Sequence, residues 1–273
     1  VLAIVQSMVM ISPAVAPMFG AALLNFTDWR GVFWTLTGIG VVALLITFLL
    51  QETVQQRNTG ALWATYSRLG HVLQNRGFTL LLLLFSLGGV SGLAFVTAST
   101  YIYQDGFGLS SQVYSYYFGL NALCLIAGPM IYMQLSRRFH SELIIRACFV
   151  VSLASGVLVM LLGNLAPYVF ALCILPSSIA GSILRPPSTN LMLEQQTGDT
   201  GSMVSVIGCV SLLMGALGMT LISLPWGNTI IALGVMIVST AAVSLLAWPL
   251  VIKRAVRLPH PSPAAADLEA SSL

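Results

Sequence analysis

Charged positions are so sparse along this chain that the gaps between them outline its elements. Residues 1–27 carry no charge, and further charge-free runs cover 31–51, 77–104, 106–136, 147–184 and 200–252. A helix needs about 20 apolar residues to cross the ~30 Å hydrocarbon core of a membrane. The run at 200–252 is long enough for two crossings, with a turn at Leu224-Pro225-Trp226-Gly227-Asn228. The run at 147–184 is interrupted at Gly163-Asn164-Leu165-Ala166-Pro167, where a second turn is predicted. The pattern predicts eight spans, at about 1–26, 31–51, 78–103, 113–135, 143–163, 168–191, 203–224 and 229–252. Helices are expected because each satisfies its own backbone polar groups in lipid. The ten-residue alternation of a membrane β-barrel is missing.

The polar stretches divide the spans into groups. The longest, 53–77, separates two helices (1–52) from six (78–252). Within it, Ala61–Leu69 mixes apolar and basic residues at helical spacing, predicting a short helix lying at the membrane surface with Trp63 and Tyr66 at headgroup depth. After the last span, residues 253–273 form a Pro-, Ser- and Ala-rich tail expected to be disordered. Val1 opens directly into an apolar run with no charged leader, so the chain is expected to be the back part of a longer protein.

Composition narrows the class. Hydrophobic residues make up 57% of the 273 positions and charged ones 7%, against about 25% charged in a soluble domain. Soluble enzymes, disordered chains and nucleic-acid binders are excluded. The net charge of +3 comes mostly from scattered arginines, which report orientation. Arg57, Arg68, Arg76, Arg137, Arg138, Lys253, Arg254 and Arg257 all fall in connections on one side of an eight-span bundle, whereas Arg30 stands on the other. That bias predicts that both ends of the chain are cytoplasmic. Cys124, Cys148, Cys173 and Cys209 lie in apolar spans without a CxxC pair and read as buried small hydrophobes, neither disulfides nor metal ligands.

Motifs at particular places carry a family resemblance. Ser12-Pro13-Ala14-Val15-Ala16-Pro17-Met18-Phe19-Gly20-Ala21 resembles the antiporter signature on the fifth helix of the major facilitator superfamily, especially its Bcr/CflA drug-resistance branch. Asp28-Trp29-Arg30-Gly31-Val32-Phe33-Trp34 is similar to the W-R-x-x-F opening of the sixth helix, and Gln51-Glu52-Thr53 to its close. Gly108-Leu109-Ser110, the Tyr116–Asn121 stretch, Arg185-Pro186, Asn190 and Gly201-Ser202 resemble later parts of that branch. The resemblance covers about 1–252. It implies an all-α polytopic bundle in which 1–52 ends an amino-terminal six-helix half, 53–77 is the cytoplasmic connector and 78–252 is the second half. Eight of twelve helices would then be present, and the family's basic loop after the second helix would lie upstream. It further implies a bacterial inner-membrane secondary transporter, without cofactor or metal and acting as a monomer, in which protons drive export of drug-like molecules. Pro13, Pro17 and Gly20 would form a structural seam between the halves.

Within the spans, ionisable groups are costly in lipid and are candidates for function. Asp28, Glu52, Asp105, Glu142, Glu194, Asp199 and the three histidines all map to span ends or connections, so no acid–base pair sits at membrane depth as an embedded enzyme would need. Arg185 is the exception. It falls on a small-polar stripe with Ser178, Gly181, Ser182 and Thr189, either lining a transport path or serving the inner headgroups. Tyr114, Tyr117, Asn121, Cys124 and Gly128 share one face of the fourth span, either bordering a midplane cavity or packing on a neighbour. Ser86, Gly89, Thr97, Thr100 and Tyr101 share a face of the third span, with Thr97 and Tyr101 as candidate substrate contacts, and Gly208, Ser211, Gly215 and Gly218 mark close packing on the seventh. An uncharged aromatic and amide surface suits drug-like molecules better than a highly hydroxylated sugar. The alternatives are an exporter of a sugar or amino acid, or a polytopic membrane enzyme.

Overall fold

The computed structural model describes residue 16 and residues 19–49, 70, 72–195 and 200–256. Among these residues, seven helices are long and apolar enough to cross a membrane. They are α1 (Trp29–Leu49), α2 (Arg76–Thr100), α3 (Ser111–Leu135), α4 (Ser141–Leu162), α5 (Pro167–Leu193), α6 (Thr200–Ile222) and α7 (Thr229–Val256), with a π-helical turn, Tyr101–Gly106, prolonging α2. Seven of the eight expected spans are matched by these helices. The first falls largely outside the described residues, of which 19–24 are helical. Pro13 and Pro17, and the surface helix expected around Trp63 and Tyr66, also lie outside them.

Two boundaries differ from expectation. The third span does not stop at 103, because the π turn carries it to Gly106. The last helix continues through Lys253 and Arg254 to Val256, where basic side chains in a final turn complement the helix dipole. Local chemistry sets the other ends. Asn75 caps α2 by accepting from the Phe78 N–H (3.1 Å). Asn228 caps α7 by accepting from Ile230 N–H (2.9 Å) and Ile231 N–H (3.1 Å). Between the π turn and α3, Gly108 takes φ of 68°, a left-handed conformation that glycine adopts without steric penalty.

The bundle is built from helix pairs. α2 packs against α6 and α7, α4 against α5 and α7, and α3 against α5, while a lighter α2–α5 contact closes the group. Two apolar clusters follow one another along it. Ala94, Ile102, Tyr103, Phe170 and Leu233 belong to the cluster near the π turn, and Phe78, Leu81, Ile145, Met203 and Trp248 to the one at the opposite end. Outward faces carry exposed Leu, Val and Ile, as a lipid-facing surface requires. Cys209 is likewise exposed, contrary to its reading as buried, because its side of α6 faces outward; Cys148 and Cys173 are buried. No residue of α1 is buried.

Between membrane helices, packing and buried hydrogen bonds replace the hydrophobic effect as the source of association, and prolines create some of those bonds here. Pro129 has no N–H for the Leu125 carbonyl one turn earlier, and Ser182 Oγ from α5 donates to that carbonyl instead. Next to Pro176, Ser155 Oγ from α4 donates to Cys173 O (2.5 Å) and accepts from Ser177 N–H (3.2 Å), bridging two backbone groups of α5. Helices α3, α4 and α5 are thus tied together at a carbonyl that Pro129 leaves without its rung and at the two ends of the rung next to Pro176. Ser182→Ala should strand the Leu125 carbonyl and destabilise the protein by about 1–3 kcal/mol. A thermal melt in detergent tests this against Ser91→Ala, which removes only an exposed hydroxyl bonded within its own helix and should melt with the parent.

Candidate functional site

Aromatic rings gather where α2, the π turn, α3 and α5 meet. Tyr103 is at the centre, 1% exposed. Its ring stacks on Tyr117 (centroids 5.0 Å apart, 11° between planes) and meets Phe170 edge-on at 5.4 Å and Tyr114 at 6.0 Å. Phe118 stacks on Phe95 at 6.2 Å. Tyr114 and Tyr117 are half-buried, so part of each stays open beside the packed rings. The Tyr114 hydroxyl lies 3.2 Å from both Ser99 Oγ and Thr100 Oγ1, which fixes the ring relative to α2.

Tyr103 was not among the candidates read from the sequence, where it sat at the presumed end of a span. Its signal is the Tyr101-Ile102-Tyr103 spacing, which puts the two tyrosines on opposite sides of the helix, so that one faces the core when the other faces out. Along α3, the next candidate inward is Asn121, about 15 Å from the start of the helix at Ser111. It is buried, and its Nδ2 donates to Ser178 Oγ on α5 (2.7 Å). One and two turns further on, Leu125 and Gly128 meet Ser182 of the same helix. The α3 stripe therefore faces α5, with its amide bonded across the seam and its tyrosines at the more open end.

Thr97 and Tyr101 are placed elsewhere. Both line an open cleft of about 760 Å³ at the π-turn end of the bundle, together with residues of the α4–α5 and α6–α7 turns. Arg185 lies toward the opposite end of α5, about 12 Å short of Leu193 along the axis. It is exposed, and among the described residues its guanidinium has no ion-pair or hydrogen-bond partner. Ser178 and Arg185, two turns apart on one face, connect the Asn121 amide to this cation by a path of about 10 Å along α5. Gly20 is half-buried with open space around it. The structure thus brings Tyr114, Tyr117 and Asn121 together, leaves Thr97 and Tyr101 in a separate cleft, and sets Arg185 beyond the amide. No group of three or more His, Cys, Asp or Glu residues lies together among the described residues.

Comparison with known proteins agrees with this architecture. The family profile described as Major Facilitator Superfamily matches residues 1–219. The protein named uncharacterized MFS-type transporter YdgK, of Bacillus subtilis, is 30% identical over 247 residues, covering 87% of this chain and 61% of the relative. A bicyclomycin resistance protein homolog of Haemophilus influenzae is 25% identical over 228 residues, 76% of this chain and 54% of its own length. The multidrug resistance protein MdtL of Klebsiella pneumoniae is 28% identical over 158 residues, 58% of this chain and 40% of the relative. The chain spans less than two thirds of the length of each.

Proposed function

We propose that this chain, which belongs to the Major Facilitator Superfamily, forms the second half and the adjoining helices of a proton-coupled exporter of drug-like molecules. The observation that carries the reading is the chemistry where α2, α3 and α5 meet. Half-buried tyrosine rings and one buried amide lie on helices long enough to cross a membrane there, with Arg185 the only ionisable group further along α5 within the span. Aromatic surfaces of this kind hold bulky organics and organic cations by stacking and cation–π contact, worth about 0.5–2 kcal/mol each. Mostly apolar pockets separate shapes by only about 1–3 kcal/mol, which suits a broad range of drugs. The bicyclomycin- and multidrug-resistance names of two relatives support the same class.

In this reading residues 78–252 are a six-helix half that rocks against a partner half about a midplane site. α1, which buries no residue of its own, would find its neighbours in that partner. The proton-binding carboxylate would also belong there, and the intact protein would work as a monomer. Tyr114, Tyr117 and Asn121 contribute to the substrate site and Arg185 lines the cytoplasmic side of the path. Pro13, Pro17 and Gly20 form the seam between halves.

Two measurements test the reading. Expressed in a host stripped of its own pumps, the intact protein should raise resistance to at least two unrelated lipophilic antibiotics, and Tyr117→Ala should change which drugs are exported more than how much protein is made. Unchanged resistance across a broad panel, with movement of a sugar or amino acid, moves the assignment to a metabolite exporter. Orientation is tested separately in a cysteine-free background. An impermeant maleimide applied to intact cells should label Leu165→Cys, in the α4–α5 turn, and spare Phe139→Cys, next to Arg137 and Arg138. The reverse result inverts the bundle in the membrane.

A further inference from the structure

The cleft at the π-turn end has a composition that the midplane reading does not use. Its walls include Tyr101 and Asp105 from the π turn, Trp226 from the α6–α7 turn, and Asn164 from the α4–α5 turn. Across residues 78–252, Asp105 is the one charged residue at this end of the bundle, since the α4–α5 and α6–α7 turns hold none. Among the described residues its carboxylate has neither an ion-pair nor a hydrogen-bond partner, and it is exposed. An uncompensated carboxylate in an open cleft of about 760 Å³ attracts a cation.

The surroundings select the kind of cation. Tyr101 is 59% and Trp226 48% exposed. A tryptophan that merely anchors a helix at the membrane surface keeps its ring at headgroup level with the polar edge outward. Here the Trp226 Nε1–H donates to Leu221 O in the last turn of α6 (2.7 Å), which holds the indole in place beside the cleft. The far side is equally rigid, because Asn228 Nδ2 donates to Asn164 Oδ1 (2.8 Å) and ties two turns together. The π turn is a third, independent sign. Its wide rungs, such as Phe107 N–H to Ile102 O (3.0 Å), set Tyr101 and Asp105 on the cleft, and π turns recur at functional positions. One carboxylate is too few ligands for a metal ion, whereas one carboxylate sharing an open cleft with exposed aromatic rings matches an organic cation.

We propose that this cleft binds organic ammonium or phosphonium groups, with Asp105 as counter-charge and Tyr101 and Trp226 as aromatic walls. The site lies apart from the α3–α5 seam, and binding there does not depend on export. Two sources share the chemistry, a soluble organic cation and the amine headgroup of a lipid.

The test uses the intact protein labelled with fluorotryptophan, in nanodiscs of phosphatidylglycerol, with the Trp226 resonance assigned by its loss in Trp226→Phe. Choline and tetraphenylphosphonium should each shift that resonance saturably, while the neutral neohexyl alcohol of choline's shape should not. Asp105→Asn should weaken choline binding at least about tenfold, the size of one lost charge-assisted contact of ~1.4 kcal/mol, and Asp105→Glu should keep most of it. In phosphatidylethanolamine nanodiscs without soluble cation, a Trp226 shift that choline reverses and Asp105→Asn abolishes identifies the lipid headgroup as occupant. A shift seen only with added cation identifies the soluble source. The proposal is overturned if Trp226 responds to neither cation nor headgroup, if the neutral alcohol shifts it equally, or if Asp105→Asn binds like the parent.

Discussion

Gly218→Val should lose about 3 kcal/mol of stability and most of the yield of monodisperse protein. A Cβ at position 218 would run into the carbonyl oxygen, carbonyl carbon and Cα of Val90 on α2. These are backbone atoms in a regular helix, so they cannot rotate aside as a side chain would. Relief requires α2 and α6 to separate, and separation also breaks the second close approach on that seam, where Gly89 meets the Ser211 carbonyl. In lipid no hydrophobic gain offsets the loss, because tails solvate the parted surfaces as well as the helices did. Gly92→Val, on the same helix pair but with open space at its Cβ position, is the matched control. Thermal melting in detergent decides the matter: a Gly218→Val protein that melts with Gly92→Val would show that the two helices do not approach as described.

Arg185→Gln in the intact protein should reduce export about tenfold, equivalent to ~1.4 kcal/mol of lost stabilisation of the transported state, with expression unchanged. Arg185→Lys should retain part of the rate, since the charge remains while the planar fork of donors is lost. The expectation rests on two features of the site. Its guanidinium has no ion-pair or hydrogen-bond partner among the described residues, and it lies two turns beyond Ser178 on the face of α5 that meets Asn121. Drug accumulation in cells carrying each variant at matched expression is the measurement. If both variants export like the parent, the side chain serves the inner headgroups by snorkelling and has no part in the path.

What the sequence determined by itself is whatever depends on distance along one chain. Charge-free runs of membrane length set the helices from 29 to 256, because a bilayer of fixed thickness admits few solutions. Turns at Gly163–Pro167 and Leu224–Asn228 were legible because Gly, Pro and Asn interrupt otherwise apolar runs. The family was legible in motifs whose order matches a known helix sequence. The small-residue face of Ser211, Gly215 and Gly218 was legible as a packing surface because only small residues allow backbones so close, whereas Gly208, read as part of the same face, is exposed with open space at its Cβ position.

Tertiary structure decided every question of partnership. The stripe of Tyr114, Tyr117 and Asn121 has the same periodicity whether it borders a cavity or a neighbour, and the Asn121–Ser178 bond connects residues far apart in sequence. The bond from Ser182 to the Leu125 carbonyl was equally hidden, since the acceptor is a backbone atom exposed by a proline on another helix. Tyr101 lines the cleft and Tyr103 is in the core; residues two apart face opposite sides of an α-helical or a π-helical turn alike, so their opposition was legible, but which side the bundle would bury was not. Asp105 acquired meaning only when turns from three parts of the chain met around it. Periodicity specifies which face of a helix is special, but what that face meets depends on the angles and depths at which helices pack.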